Sequence, residues 1–189
     1  MAEKKIVLFG GTFDPIHLGH TGVGKCAFEY IAAHELIFVP AKRSPLKGFD
    51  PVASDRDRLA MIKLAIMSEP RWRVSEYEIK KQTPSYTLHT VRAFKQAYGP
   101  QTSIYWLLGA DSIKELPHWY GIEELVDICH LSVMYRGGCD KPDFDSLEDS
   151  LGSERIQKLE QNVIPTPMID ISSTEIRRRL AHGQGASGM

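Results

Sequence analysis

The segment Gly10-Gly11-Thr12-Phe13-Asp14-Pro15-Ile16-His17-Leu18-Gly19-His20 concentrates more potential chemistry than any other stretch of this 189-residue chain. Two glycines directly after an apolar run let backbone N–H groups approach an anion with no Cβ in the way. Pro15 stiffens the turn, and a helix is predicted to begin near Leu18, so its positive dipole end faces the same space. His17 and His20 are three apart, which puts both imidazoles on one face of that helix start, and Gly19 keeps the surface between them open. Two donors at a helix N-terminus suit the α-phosphate of a nucleoside triphosphate while charge builds on it in the transition state. The loop lacks the Gly-Lys-Ser/Thr of a Walker A motif and is not GxGxxG. For either histidine alone, a polar residue at a helix entrance is the simpler account. The whole string favours function, because its parts share one mechanism.

A second anion site is predicted at Ile171-Ser172-Ser173-Thr174-Glu175-Ile176-Arg177, where three hydroxyls and free amides open a helix and Arg177 follows on the next turn. Ser85-Tyr86-Thr87, after Pro84, also opens a helix; the segment is either a simple helix cap or, through its free N–H groups and a Thr hydroxyl, a receptor for a carboxylate. Gly109-Ala110-Asp111 ends a strong strand with an acid. Lys42, Arg43 and Lys47 form a basic loop that is a solvated surface unless a phosphate recruits it. Trp72 and Trp106 read as core, while Trp119 stands eight residues past Asp111 in a polar setting. No Ser-His or Cys-His pairing signals a protein nucleophile.

The elements that must hold these residues alternate. Strands are predicted at Ile6–Phe9, Glu35–Val39, Trp72–Glu76, Ser103–Leu108, Leu131–Tyr135 and, more weakly, Asn162–Thr166. Helices are predicted over Leu18–Ala33, from the Ser54/Asp57 capping pair through Met67, from Thr83-Pro84-Ser85 to Tyr98, and over Ser172–Ala181. Shorter helical pieces fall at Ser112–Leu116 and Ile122–Val126. The stretch Gly137–Ser153, rich in Gly, Asp and Ser, is expected to be a mobile insertion, and the Gly/Ser tail over 182–189 to fray. The pattern predicts one α/β domain over 1–189, with a parallel sheet and helices on both faces. In such folds ligands bind beyond the carboxyl ends of the strands, where these loops lie.

Composition narrows the class. With 42% apolar and 25% charged residues the chain is globular, and 23 Lys plus Arg against 24 Asp plus Glu argue against a dedicated nucleic-acid binder. Cys26, Cys129 and Cys139 are far apart and form no CxxC pair, which excludes a disulfide framework and suits a reducing compartment. The first apolar run is too short for a signal peptide and no later one reaches membrane length, so a soluble cytoplasmic protein is expected, with no membrane partner.

The first segment resembles the GTFDPxHxGH signature of the nucleotidylyltransferase superfamily, whose members join a nucleoside monophosphate to a phosphate acceptor and release pyrophosphate. The last segment is similar to the ISSTxIR motif of the same superfamily. Pro40 to Lys47 resembles the PxxxPHK loop of bacterial nicotinate-nucleotide adenylyltransferases, with Leu46 in place of the histidine. Ser85-Tyr86-Thr87 is similar to their SYTxDT motif, with His89 in place of Asp and Thr90 matching. Gly109-Ala110-Asp111 matches their GxD, and Trp119 aligns with a stacking tryptophan. The family usually continues past the last motif, whereas this chain stops at Met189.

The resemblance implies a Rossmann-like doubly wound sheet and adenylyl transfer from ATP to nicotinate mononucleotide in NAD biosynthesis. It implies ATP contacts from Gly10, Gly11, Thr12, Phe13, Gly109, Asp111, Ile171, Ser172, Ser173 and Thr174. Catalytic roles fall to His17, His20, Lys47 and Arg177, and the nicotinate end to Ser85, Tyr86, Thr87 and Trp119. Mg²⁺ is expected to ride on the triphosphate, with no protein side chain as ligand. Other acceptors (nicotinamide mononucleotide, phosphopantetheine, a sugar phosphate) and a nucleotide sensor without turnover are the alternatives.

Overall fold

A computed structural model describes residues 3–43, 50–136, 141–167, 169, 171–185 and 188–189. Six strands, β1 (Lys5–Gly11), β2 (Glu35–Pro40), β3 (Trp72–Val74), β4 (Ser103–Gly109), β5 (His130–Arg136) and β6 (Val163–Thr166), form one sheet in the order β3-β2-β1-β4-β5-β6. Every neighbouring pair is parallel. This is the doubly wound, Rossmann-like order, in which the connections reverse direction between β1 and β4.

The reason for two covered faces is visible along β1. Ile6 and Leu8 enter one core while Val7 and Phe9 enter the other, as the alternation of side chains along a strand requires. On the second face lie α1 (Leu18–Tyr30) and α2 (Asp55–Ala65), through Ala27, Phe28 and Ile62. On the first lie α3 (Thr87–Tyr98) and α4 (Ile122–Ile128), through Leu88, Val91, Phe94, Leu125 and Val126. The remaining helices are α5 (Glu148–Leu151), α6 (Ser153–Glu160) and α7 (Ser173–Ala181), with 3-10 turns at Ala110–His118 and Asp145–Leu147.

Several boundaries differ from the sequence reading for local reasons. β1 runs on through Gly10 and Gly11, which pair with Val39 and Pro40, so the glycines belong to the strand and not to the loop after it. α1 ends at Tyr30 because Ile31 caps it and Ala32 turns to φ 52°. α2 starts where expected: Ser54 accepts from the Asp57 N–H at 3.1 Å. It stops at Ala65. The Gly137–Ser153 stretch lies partly outside the described residues; its described part places Phe144, Leu147 and Leu151 in the core, each 3% exposed or less. Among the described residues no helix is long and apolar enough to cross a membrane.

Candidate active site

At the point where the connections reverse, the carboxyl ends of β1 and β4 open a cavity of about 510 Å³, within the range of small-ligand pockets. Its floor is Phe9 to Thr12 and Trp106 to Gly109. One wall comes from the start of α3, with Ser85, Tyr86 and Thr87, and another from the 3-10 turn after β4, with Asp111, His118 and Trp119. Segments as far apart in sequence as Phe9 and Tyr120 therefore converge on one space. The glycines have a packing reason as well as a ligand reason. A Cβ on Gly10 would lie 2.2 Å from Cζ2 of Trp106, and one on Gly11 2.9 Å from Cζ of Phe13.

The loop after β1 is held by donors from two distant helices. Nη1 of Arg58, on α2, donates to the Thr12 carbonyl at 2.7 Å, and Nη2 donates to Asp55 at 2.7 Å. Arg58 is fully buried, so its charge depends on these partners. Asp55 in turn takes an ion pair from Lys42; burial opposes its ionisation, but the hydrogen bonds from Lys42 and Arg58 outweigh it and lower its pKa. Asp14 is buried and accepts the Val52 and Ala53 N–H groups at 2.7 and 3.0 Å. From α7, Arg177 donates to the Asp14 carbonyl at 2.5 Å and Ser173 to the Pro15 carbonyl at 2.9 Å. Because carbonyl and N–H point oppositely across a trans peptide, tying the Thr12 and Pro15 carbonyls turns the next N–H groups the other way. The Asp14–Pro15 peptide is cis and Phe13 sits at φ 48°. Phe13 itself is 2% exposed and packs edge-on against Phe9, Phe38 and His20, which leaves its backbone as the part able to meet a ligand.

His17 caps α1 and His20 sits one turn in, their ring centroids 3.8 Å apart. The His17 N–H donates to Nδ1 of His20 at 3.3 Å, which puts the proton of a neutral His20 on Nε2. Burial lowers the pKa of His17, which favours its neutral form. Gly19 packs beneath its ring: a Cβ there would stand 2.8 Å from Nδ1 of His17 and 3.6 Å from the Ile171 carbonyl. The starts of α1 and α7 thus lie side by side, two positive helix ends at one corner. Ser172 caps α7 by accepting the Glu175 N–H at 3.2 Å, and Arg177 also donates to Thr174 at 3.2 Å.

The predicted residues therefore fall in two groups joined by the β1–α1 loop. Gly10, Gly11, Thr12, Ser85, Tyr86, Thr87, Gly109, Asp111 and Trp119 line the cavity. His17, His20, Ile171, Ser172, Ser173, Thr174 and Arg177 form the helix-end corner and do not line it. Lys47 and Leu46 lie outside the described residues.

At the other end, Ser85 fastens the loop after β2 to α3: its hydroxyl accepts the Lys42 N–H at 3.1 Å and its own N–H donates to the Arg43 carbonyl at 3.0 Å. Thr87 and Leu88 open α3, where first-turn N–H groups lack an intrahelical partner. Trp119 is half-buried, and its indole N–H is buried with no partner among the described residues. Tyr86, His89 and Tyr120 cluster at the rim with centroids 5.1 to 5.7 Å apart.

Sequence reasoning missed Arg58, Asp14 as an anchor, Glu78 and Tyr120. For Arg58 a signal existed, because it stands four residues before Ile62 on the apolar stripe of α2, where a charge has no business unless it is paired. Glu78 gave none: it lies in an irregular turn and is paired through the fold, its Oε1 accepting from Thr90 at 2.6 Å.

The cytidylyltransferase-like family model matches residues 8–179. A probable nicotinate-nucleotide adenylyltransferase of Rhodopirellula baltica is 35% identical over 179 residues, covering 95% of this chain and 83% of the relative. One from Dehalococcoides mccartyi is 37% identical over 187 residues, covering 98% and 89%. Among solved structures, the Plasmodium falciparum nicotinic acid mononucleotide adenylyltransferase complexed with NaAD shares the fold with a TM-score of 0.70 at 20% identity, over 96% of this chain and 86% of that one. The same residues that carry the β1–α1 loop and the α7 start fall inside the matched range, and the chain belongs to the cytidylyltransferase-like family, among its nicotinate-nucleotide adenylyltransferases.

Proposed function

We infer that the protein transfers the adenylyl group of ATP to nicotinate mononucleotide, giving nicotinate adenine dinucleotide and pyrophosphate as a step of NAD biosynthesis. The observation that carries this is the joining, by one loop, of a cavity with an aromatic and helix-start end to a corner where two helix N-termini meet two histidines. The relatives at 35% and 37% identity bear the name of that activity.

A 5'-phosphate oxygen of the mononucleotide attacks the α-phosphorus in line; the bond from that phosphorus to the bridging oxygen breaks, and pyrophosphate leaves with the electron pair. The chain supplies position and charge compensation. Gly10, Gly11, Thr12 and the Phe13 backbone bring the α-phosphate against the loop. The N–H on Nε2 of His20 and a ring N–H of His17 donate to α- and β-phosphate oxygens. Ile171, Ser172, Ser173 and Thr174 receive the outer phosphates at the start of α7, with Arg177 and Lys47 offsetting their charge. Gly109 and Asp111 receive the ATP ribose. Trp119 stacks on the pyridine ring, while Ser85, Tyr86 and Thr87 present the start of α3 to its carboxylate.

Mg²⁺ enters as Mg-ATP and neutralises triphosphate charge. This fits the donor set: both carboxylate oxygens of Asp14, the residue whose carbonyl Arg177 holds, already accept backbone N–H groups. The test is His17→Ala. It is expected to lose turnover by about 10²-fold or more, as removal of a transition-state donor does, while ATP binding by calorimetry persists. Unchanged turnover would remove His17 from the mechanism.

A further inference from the structure

Glu78 is a carboxyl group that the mechanism leaves unused, although it lines the cavity beside Ser85, Tyr86 and Thr87. It is 3% exposed, and Lys81 acts on it through charge alone, with no hydrogen bond between them. Its partners are hydroxyls, those of Thr90 on the first turns of α3 and of Ser85 just before it. A carboxyl so placed competes with any ligand carboxylate for the positive end of α3. Ionised, it already compensates that end and repels a second anion; protonated, it is neutral and able to donate a hydrogen bond.

We propose that Glu78 determines which pyridine mononucleotide the pocket selects: as a neutral acid it favours the ring bearing a carboxylate, and as an anion it shifts preference toward the neutral amide. This rests on the reading that the pyridine end lies at the start of α3. Burial pushes the Glu78 carboxyl up, against the hydrogen bonds from Thr90 and Ser85 and the charge of Lys81. The other titratable groups facing this space are Tyr86 before α3 and His89 on it, and Asp111, Glu115, His118 and Tyr120 from the segment after β4. Any protonated imidazole would also attract an anion, so removal of Glu78 alone is the discriminating change.

The experiment measures kcat/KM for nicotinate and nicotinamide mononucleotides with saturating Mg-ATP from pH 5.5 to 8.5, and takes their ratio. Both acceptors carry the same titrating 5'-phosphate, so its ionisation cancels. In the wild-type protein the acid-to-amide ratio should fall by about tenfold as pH rises, the consequence of one unit of differential interaction. Glu78→Gln should hold the ratio flat near the wild-type low-pH value, and His118→Gln should keep the wild-type slope. Thr90→Val removes a donor to the ionised form and should move the midpoint of the fall to higher pH, which keeps the test open if Glu78→Gln fails to fold. A slope retained in Glu78→Gln, or lost in His118→Gln, overturns the proposal. A flat wild-type ratio with nicotinate mononucleotide still consumed overturns it alone; no turnover of either acceptor overturns the functional reading beneath it as well.

Discussion

Gly19→Ala separates catalytic geometry from stability, because the two should move in opposite directions. Gly19 lies inside α1, where alanine is favoured over glycine by about 1 kcal/mol. The new methyl would stand 2.8 Å from Nδ1 and 2.9 Å from Cε1 of His17, against the 3.4 Å at which ordinary contact begins, so the ring must retreat by 0.6 Å from Nδ1. The Ile171 carbonyl at 3.6 Å leaves room for the methyl on its other side, and α1 itself need not shift. The imidazole, a partly buried side chain rather than backbone, is therefore the part that gives way. A displacement approaching an ångström at a reacting centre costs on the order of 10²-fold in rate. In thermal melts the variant should match the wild type or exceed it by about 2–4 °C. In a pyrophosphate-release assay its kcat should drop by about 10–100-fold with little change in ATP binding. Full activity with a raised melting temperature would show that His17 does not act from its observed position. A melting temperature several degrees lower would show that the fold yields before the ring does.

Three further outcomes follow from the same geometry. Trp119→Ala should raise KM for nicotinate mononucleotide by about tenfold or more while leaving KM for ATP near its wild-type value, stacking being worth about 1–3 kcal/mol per ring; equal changes in both would refute stacking. Arg58→Met removes a buried guanidinium that donates to both the Thr12 carbonyl and Asp55 and should destabilise by about 2 kcal/mol, read as a lower denaturation midpoint at unchanged m-value; a neutral result would mean that Arg58 does not anchor the loop. Glu175, hydrogen-bonded by Arg178 and Arg179, has its pKa lowered from 4.5 to about 2. Its contribution to α7 is present above pH 4.5 and is lost as pH falls toward 2, so amide protection factors in α7, corrected for intrinsic exchange, should fall across that window in the wild type and less so in Glu175→Gln.

The parts of this structure that sequence conveys are those where one residue type has one physical use. Ile6–Phe9, Glu35–Val39 and Ser103–Leu108 are apolar runs too short for helices, and each is a strand in a sheet covered on both faces. Ser54 and Ser172 are caps because their side chains satisfy first-turn N–H groups, and both do so. Composition misleads where it hides spacing. The Gly, Asp and Ser of the 137–153 stretch conceal Phe144, Leu147 and Leu151, which recur at helical intervals and are buried. α6 carries only Ile156 and Leu159 as buried residues, too few for its period to stand out.

Within the site, the elements that carry Ser85–Thr87, Asp111 and Trp119 can be placed on the chain, but their meeting depends on strand order, which no local pattern encodes. The same holds for the way the loop is fixed. That Arg177 and Ser173 reach the carbonyls of Asp14 and Pro15 joins residues 163 and 158 positions apart. Gly10 is readable as a glycine that something must approach; that the approaching group is Trp106 requires β4 to lie beside β1.

The central claim is adenylyl transfer to nicotinate mononucleotide, and its most direct test is pyrophosphate release from Mg-ATP at pH 6.5 with nicotinate and nicotinamide mononucleotides compared side by side. Release in step with dinucleotide formation, strongly favouring the acid, is the predicted result. Faster release with the amide would contradict the acceptor assignment, and release with neither would contradict adenylyl transfer itself.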